Sequence, residues 1–211
     1  MKKISVILPV LNEEKSVQPL FELLKNAQKD LGCRLEIVYV DDGSTDKSLE
    51  RMKDVRRKKN KNIQVKIISF ADNYGKTEAL KAAIKVASGD YLAMLDADLQ
   101  DDPVYLVKFL DKIKKENLDF VIGWRKDRYR DNLIKNFSSK LANYTMAAFV
   151  RYRVHDMNCG FKFMKIEVAR KLHLKSDYHR FIPLIAMING FRVGEVVISQ
   201  KKRRFGVSKY G

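Results

Sequence analysis

Cysteine, histidine and proline are scarce in this chain of 211 residues, with 2 Cys, 3 His and 4 Pro. Cys33 and Cys159 lie far apart and in no redox or metal-ligand spacing, which excludes a disulfide scaffold and predicts reduced thiols in a cytoplasmic compartment. His155, His173 and His179 are too scattered to make a zinc site. Long apolar runs are also missing. The N-terminal run spans only Ile4 to Leu11 and meets Glu13 and Glu14 with no small-residue cleavage site, so it reads as a strand and not a secretory leader. Nothing approaches the roughly 18 to 20 apolar residues of a membrane-spanning helix. With no repeat, low-complexity tract or Pro/Gly/Ser linker, residues 1–211 are expected to form a single domain. Acidic residues are outnumbered, 26 against 42 Lys and Arg, for a net charge of +16. Such a surface attracts polyanions, a class that includes nucleic acid, an anionic membrane face and phosphorylated substrates. Its densest stretch, Arg51 to Lys61, reads as a solvated helix end and loop.

Against these absences stands a regular alternation. Short β-branched runs (ISVILPVL, LEIVYV, VKIISF, YLAMLDA and FVIGW) are separated by helical patterns, which predicts an α/β fold with a mainly parallel sheet flanked by helices. Asn12 is placed to cap a first helix carrying Val17, Leu20, Leu24 and Ala27 on one face. A further helix is predicted from Lys76 to Ser88 with Gly89 as its C-terminal cap, and Pro103 fits the first position of the next.

In open α/β sheets ligands bind beyond the carboxyl ends of the strands. Those positions are polar here: Asn12-Glu13 after the first run, Asp41-Asp42-Gly43-Ser44-Thr45-Asp46 after the second, and Asp96-Ala97-Asp98-Leu99-Gln100 after the fourth. A D-x-D pair supplies hard oxygen ligands suited to Mg²⁺ or Mn²⁺, and Gln100 adds a neutral oxygen. Carboxylates gathered on one edge repel unless a cation or ligand hydroxyls satisfy them. Asp42 suits a ribose or base donor. Asp96 and Asp98 also have the composition of a turn before Pro103.

The segments PVLNEE, DDGSTD, DADLQDDP, DMNCGFKFMK and RRFGVSKYG occur in the order found in family 2 glycosyltransferases, and over essentially the whole chain the sequence resembles their dolichyl-phosphate mannose synthase and polyprenyl-phosphate glycosyltransferase branch. The resemblance implies a GT-A (Rossmann-like) fold and inverting transfer from a nucleotide-diphosphate sugar, UDP-glucose or GDP-mannose, to a polyprenyl phosphate. It implies donor contacts from Pro9, Leu11, Glu13, Val40, Asp42, Asp96, Ala97, Asp98, Gln100 and Arg203, with metal at Asp96, Asp98 and Gln100. It places the acceptor phosphate at Arg125, Lys135 and Ser139, and makes Asp98, Arg125 and Asp156 the catalytic set, Asp156 orienting the acceptor or serving as base. Cys159 and Gly160 are read as packing and close backbone approach.

A lipid monophosphate arrives already anionic, so transfer requires positioning and charge neutralisation more than a strong base. Apolar residues at helical spacing from Leu133 to Phe149 suit either packing on the sheet or an interfacial helix on acidic lipid, and the net charge favours the cytoplasmic face of a membrane. Relatives that use polyprenyl phosphate continue past SKYG into transmembrane helices, which this chain, ending at Gly211, is expected to lack. Two other functions suit parts of the sequence: a soluble transferase acting on a sugar or protein hydroxyl, and a basic nucleic-acid-binding module, which leaves the acidic edge unexplained.

Overall fold

The computed structural model describes residues 1–58, 60–126, 154–172, 174 and 176–205. Its centre is β1 (Lys3–Val10), buried at seven of eight positions because helices cover the sheet and alternation is not needed. The chain continues through α1 (Glu14–Leu31), β2 (Arg34–Asp41), α2 (Ser48–Arg57), β3 (Ile63–Ser69), α3 (Lys76–Val86), β4 (Tyr91–Met94) and α4 (Tyr105–Lys115). After β5 (Phe120–Arg125) come β6 (Lys162–Lys165), α5 (Ile166–Lys171), a 3-10 turn (Ser176–Phe181), α6 (Ile182–Ile188) and β7 (Val193–Ile198).

The seven strands lie in the order β3-β2-β1-β4-β6-β5-β7. Pairing is parallel for β1 with β2 and β4, β2 with β3, and β5 with β7, while β6 runs antiparallel between β4 and β5. The expected α/β architecture therefore holds, with two strands, β6 and β7, beyond the five read as runs. Helix α1 packs on α2 and α4, and α3 packs on α5 and the 3-10 turn. Val17, Leu20, Leu24 and Ala27 are buried, as the periodicity predicts. Under the second half, Phe109 stacks on Phe161 at 4.5 Å and Tyr91 on Phe163 at 5.5 Å.

Local expectations at the helix ends need correction. Asn12 is not the cap of α1; it takes a positive φ of 52° and its side chain turns to the loop after β2, leaving Glu13 at the cap position. Helix α3 stops at Val86, and Gly89 serves close approach instead, since a Cβ there would stand 2.7 Å from the Ser5 amide nitrogen. Helix α4 starts at Tyr105, just after Pro103. The stretch 133–149, together with Lys135, Ser139, His173 and the SKYG end, lies outside the described residues. Among the described residues no helix is long and apolar enough to cross a membrane.

Candidate active site

The carboxyl ends of β1, β2 and β4 converge, and side chains distant in sequence fasten the loops that follow them. Asn12 Oδ1 accepts from the amides of Thr45 at 2.7 Å and Asp46 at 3.2 Å, while Ser44 Oγ accepts from the Asn12 amide at 2.9 Å and Ser48 Oγ from the Glu13 amide at 2.7 Å. Gly43 turns the loop with φ 72°, where a Cβ would lie 2.5 Å from the Asp72 carbonyl carbon. Asp41 accepts from the Ser44 amide and the Ser69 hydroxyl, each at 3.1 Å. Asp42, fully buried, accepts from the amides of Tyr74 at 2.8 Å and Gly75 at 3.0 Å, so it fastens the loop after β3 beneath the edge. Pro9, Val40 and Ala97 are buried with it, and Leu11 is 9% exposed at the rim.

Two residues past β4, Asp96 is half-buried and ion-paired with Lys76, the first residue of α3. Burial pushes the Asp96 carboxyl up, but Lys76 overcomes this and holds it below the usual range. Asp98 Oδ2 accepts from Arg203 Nη2 at 2.7 Å, and Arg203 Nη1 reaches Glu13 Oε1 at 3.0 Å. Arg203 thus straps the first loop to the D-x-D turn. Leu99, between Asp98 and Gln100, adopts φ 65°, a costly conformation for a leucine that this turn imposes. Asp98 is raised by burial and by the charge of Asp96. Asp101, 1% exposed, is pushed up to about 7 by burial and by the charges of Asp96 and Asp98, and its Oδ2 has no hydrogen-bond partner.

This donor set fits a divalent cation shared with a ligand. Among the described residues no three Asp, Glu, His or Cys side chains form a self-sufficient metal cage. Mg²⁺ and Mn²⁺ sites that also hold phosphate commonly take only one or two carboxylates from protein. Crowded carboxylates and an orphaned buried oxygen are what such a cation would relieve.

Arg125, at the end of β5, is 6% exposed and grips Asp156 twice, Nε to Oδ2 at 2.6 Å and Nη2 to Oδ1 at 2.9 Å. Both carboxylate oxygens are thereby occupied by the guanidinium, so the geometry favours Asp156 as the residue that orients Arg125 over proton abstraction by it. Gln200 bridges the two sides, its Nε2 donating to Asp101 Oδ1 at 3.2 Å and its Oε1 accepting from Arg125 Nη1 at 3.4 Å. The Lys201 amide donates to the Gln100 carbonyl at 2.9 Å, and Gln100 Nε2 lies 3.4 Å from the Lys201 carbonyl.

Sequence reasoning passed over Lys76, Asp101, Gln200 and Lys162. Two of these carry a signal: Lys76 puts a cation at the positive end of a helix, and Lys162 interrupts the apolar GFKFM run. Lys162 is 5% exposed, donates to the Cys159 carbonyl, and is pushed down to about 8 by burial. Cys33 and Cys159 are free and buried, and Gly160 does make the close approach expected of it, to Asp96. His179 Nδ1 lies 2.9 Å from Thr77 Oγ1, which ties the 3-10 turn to α3.

Known proteins resemble this chain in sequence and in fold. The dodecaprenyl-phosphate galacturonate synthase of Rhizobium johnstonii is 34% identical over 99% of this chain and 62% of its own length. The undecaprenyl-phosphate 4-deoxy-4-formamido-L-arabinose transferase of Salmonella paratyphi B is 32% identical over 100% of the chain and 63% of its own length. The chain thus spans a little over three-fifths of these curated relatives. In fold it is similar to the glucosyl-3-phosphoglycerate synthase of Mycobacterium tuberculosis, solved with Mn²⁺, uridine diphosphate and phosphoglyceric acid, at TM-score 0.72 and 19% identity over 97% of this chain and 72% of that one. The model of the family described as glycosyl transferase family 2 matches residues 5–173, and the chain belongs to that family.

Proposed function

We propose that this domain transfers a sugar from a nucleotide-diphosphate sugar to a polyprenyl phosphate, with Mg²⁺ or Mn²⁺, at the cytoplasmic face of a membrane. The observation that carries the reading is the D-x-D pair at the end of β4, flanked by cations on separate elements: Lys76 on Asp96 and Arg203 on Asp98. When bound, the cation offsets the charge of the departing diphosphate. Asp96 and Asp98 hold it, with Gln100 at the rim. Lys76 and Arg203 then exchange carboxylate partners for diphosphate oxygens. Glu13, Leu11 and Pro9 border the nucleoside end, with Val40 and Asp42 beneath them.

On the acceptor side Arg125 gives two N–H groups to Asp156, and its Nη1 side, now on Gln200, is the part that takes the lipid phosphate. Lys135 and Ser139 join it in this reading. The acceptor's own charge makes it the nucleophile in a single in-line displacement with inversion, so no residue need abstract a proton. Both curated relatives act by name on polyprenyl phosphates, which favours this acceptor over a hydroxyl.

The test has two stages. Thermal unfolding is measured with Mn²⁺ or Mg²⁺ against a panel containing UDP-glucose, GDP-mannose and nucleotides bearing galacturonate or formamido-arabinose; metal-dependent stabilisation by one of them is expected. That donor is then offered a short-chain polyprenyl phosphate beside sugar acceptors. Transfer to a sugar hydroxyl and not to the lipid phosphate would overturn the acceptor assignment, and no stabilisation by any donor would overturn the whole.

A further inference from the structure

The stretch from Asp156 to Lys162 touches both halves of the site. At one end Asp156 clamps Arg125. Four residues on, Gly160 lies so close to Asp96 that a Cβ would stand 2.7 Å from its Oδ2. The turn between them is closed by the Cys159 amide on the Asp156 carbonyl at 3.3 Å, and its thiol packs on Gly123, where a Cβ would come within 2.8 Å of Sγ. The Gly123 amide donates to the Phe161 carbonyl at 2.9 Å, fixing the same turn to β5.

Lys162 stands behind this turn in the middle of the sheet, opposite Met94 of β4 and Ile122 of β5. Its neighbours Phe161, Phe163 and Met164 are wholly buried, so packing alone asks for an apolar side chain. A buried charge is expensive and is weak evidence for stability; its better-attested use is to specify one arrangement. The ammonium donates to the Cys159 carbonyl, the group that sets the path of the turn.

We infer that Lys162 is a positioning residue: by holding the Cys159 carbonyl it sets the Asp156–Gly160 turn, and through the turn's two ends it sets Asp96 for the donor and Arg125 for the acceptor. The inference rests on the function proposed above. It differs from a purely electrostatic role in the sign of one effect. A cation beside Asp96 repels a metal ion, so its removal by itself tightens metal binding. Loss of positioning weakens it.

The experiment measures binding of Mn²⁺ alone, by electron paramagnetic resonance, to the wild-type chain, Lys162→Met and Gly160→Ala, together with thermal midpoints. Methionine fills the lysine's volume without its charge. Alanine leaves Lys162 in place and pushes on Asp96 alone. Both variants are expected to bind Mn²⁺ about tenfold more weakly, with Lys162→Met melting no lower than wild type. In transfer assays Lys162→Met raises the KM of donor and acceptor together, whereas Gly160→Ala raises the donor's only. Wild-type or tighter Mn²⁺ affinity in a folded Lys162→Met overturns the inference. If that variant does not fold, Lys162→Gln, neutral and too short to reach the Cys159 carbonyl as the lysine does, decides: weakened Mn²⁺ binding supports the inference and wild-type or tighter affinity overturns it. A wild-type chain that binds no Mn²⁺ fails differently, removing the metal reading itself.

Discussion

The two edges of the sheet handle buried carboxylates in opposite ways. At the amino edge Glu36 is wholly buried in β2 yet accepts from Ser5 Oγ at 2.6 Å, from the Ser88 amide at 2.8 Å and its hydroxyl at 2.6 Å, and lies 2.7 Å from Lys66 Nζ. Burial pushes its carboxyl up, but these partners prevail and bring it to about 2. Asp119, with Lys165 at 2.7 Å and Arg192 at 3.3 Å, behaves likewise and also falls to about 2. At the carboxyl edge the shifts run upward at Asp98 and Asp101, where acid faces acid and one oxygen has no partner. The same residue type is satisfied at the amino edge and, the Lys76-paired Asp96 apart, left in tension at the carboxyl edge, where the proposed ligand would sit.

The sharpest break in this contrast comes at the carboxyl edge. Asp96→Ala and Asp98→Ala are each expected to abolish metal-dependent donor stabilisation and to lower transfer by roughly 10³-fold. The thermal midpoint of Asp98→Ala should stay near wild type, because it removes a member of a repelling cluster, and that of Asp96→Ala should fall only modestly, because it also gives up the Lys76 ion pair. Donor titrations followed by differential scanning calorimetry check both halves; a large fall in stability would mean that these acids hold the fold as Glu36 does.

Arg125→Ala stands between the edges in kind, since it leaves Asp156 buried and uncompensated. Breaking such a pair costs about 3–5 kcal/mol, read by denaturant unfolding. Donor binding with metal should survive while transfer is damaged. Loss of donor binding with transfer retained would reverse the assignment.

At the amino edge Glu36→Gln should cost about 1–3 kcal/mol at neutral pH without altering donor binding. The sign of its pH dependence follows from a depressed folded pKa: the stabilisation is complete above the ordinary value of 4.5 and drains as pH falls through that value to about 2. Urea titrations of wild type and Glu36→Gln should therefore converge in acid and separate above pH 5.

What the sequence disclosed follows the same division. β1, β2 and β4 were legible because strands buried on both faces must be continuous apolar runs, and β3, a half-buried edge strand, through its β-branched residues. The D-x-D pair was legible because strand ends in α/β sheets carry ligands. β6 is hidden from the pattern since four residues, KFMK, with a lysine at each end, satisfy no strand pattern alone; its place comes from pairing with β4 and β5. Asn12 was misplaced as a cap because the amides it accepts from lie more than thirty residues away in the loop after β2. Arg125 lies at the end of β5, as the FVIGW run places it, but its clamp by Asp156, 31 residues distant, is tertiary and beyond any local rule.

The smallest expected effect tests whether every polar contact at the carboxyl edge serves ligand binding. His155 precedes Asp156 and faces elsewhere: its ring stacks on Trp124 at 4.1 Å and its Nδ1 lies 2.6 Å from Glu195 Oε2, with the His155 side chain 52% exposed. An aromatic contact of this kind is worth about 0.5–1.5 kcal/mol beyond area, and the half-exposed contact of the ring nitrogen with Glu195 adds little. His155→Ala is therefore expected to lower stability by about 1 kcal/mol and to leave donor and metal binding unchanged. The backbone amide of residue 155 still donates to Glu195 Oε1, which keeps the approach to Asp156 in place. A fall in acceptor affinity without a fall in stability would instead join the Trp124–His155 stack to Arg125 as one acceptor surface, and would move the boundary between holding the fold and binding ligand outward along β5.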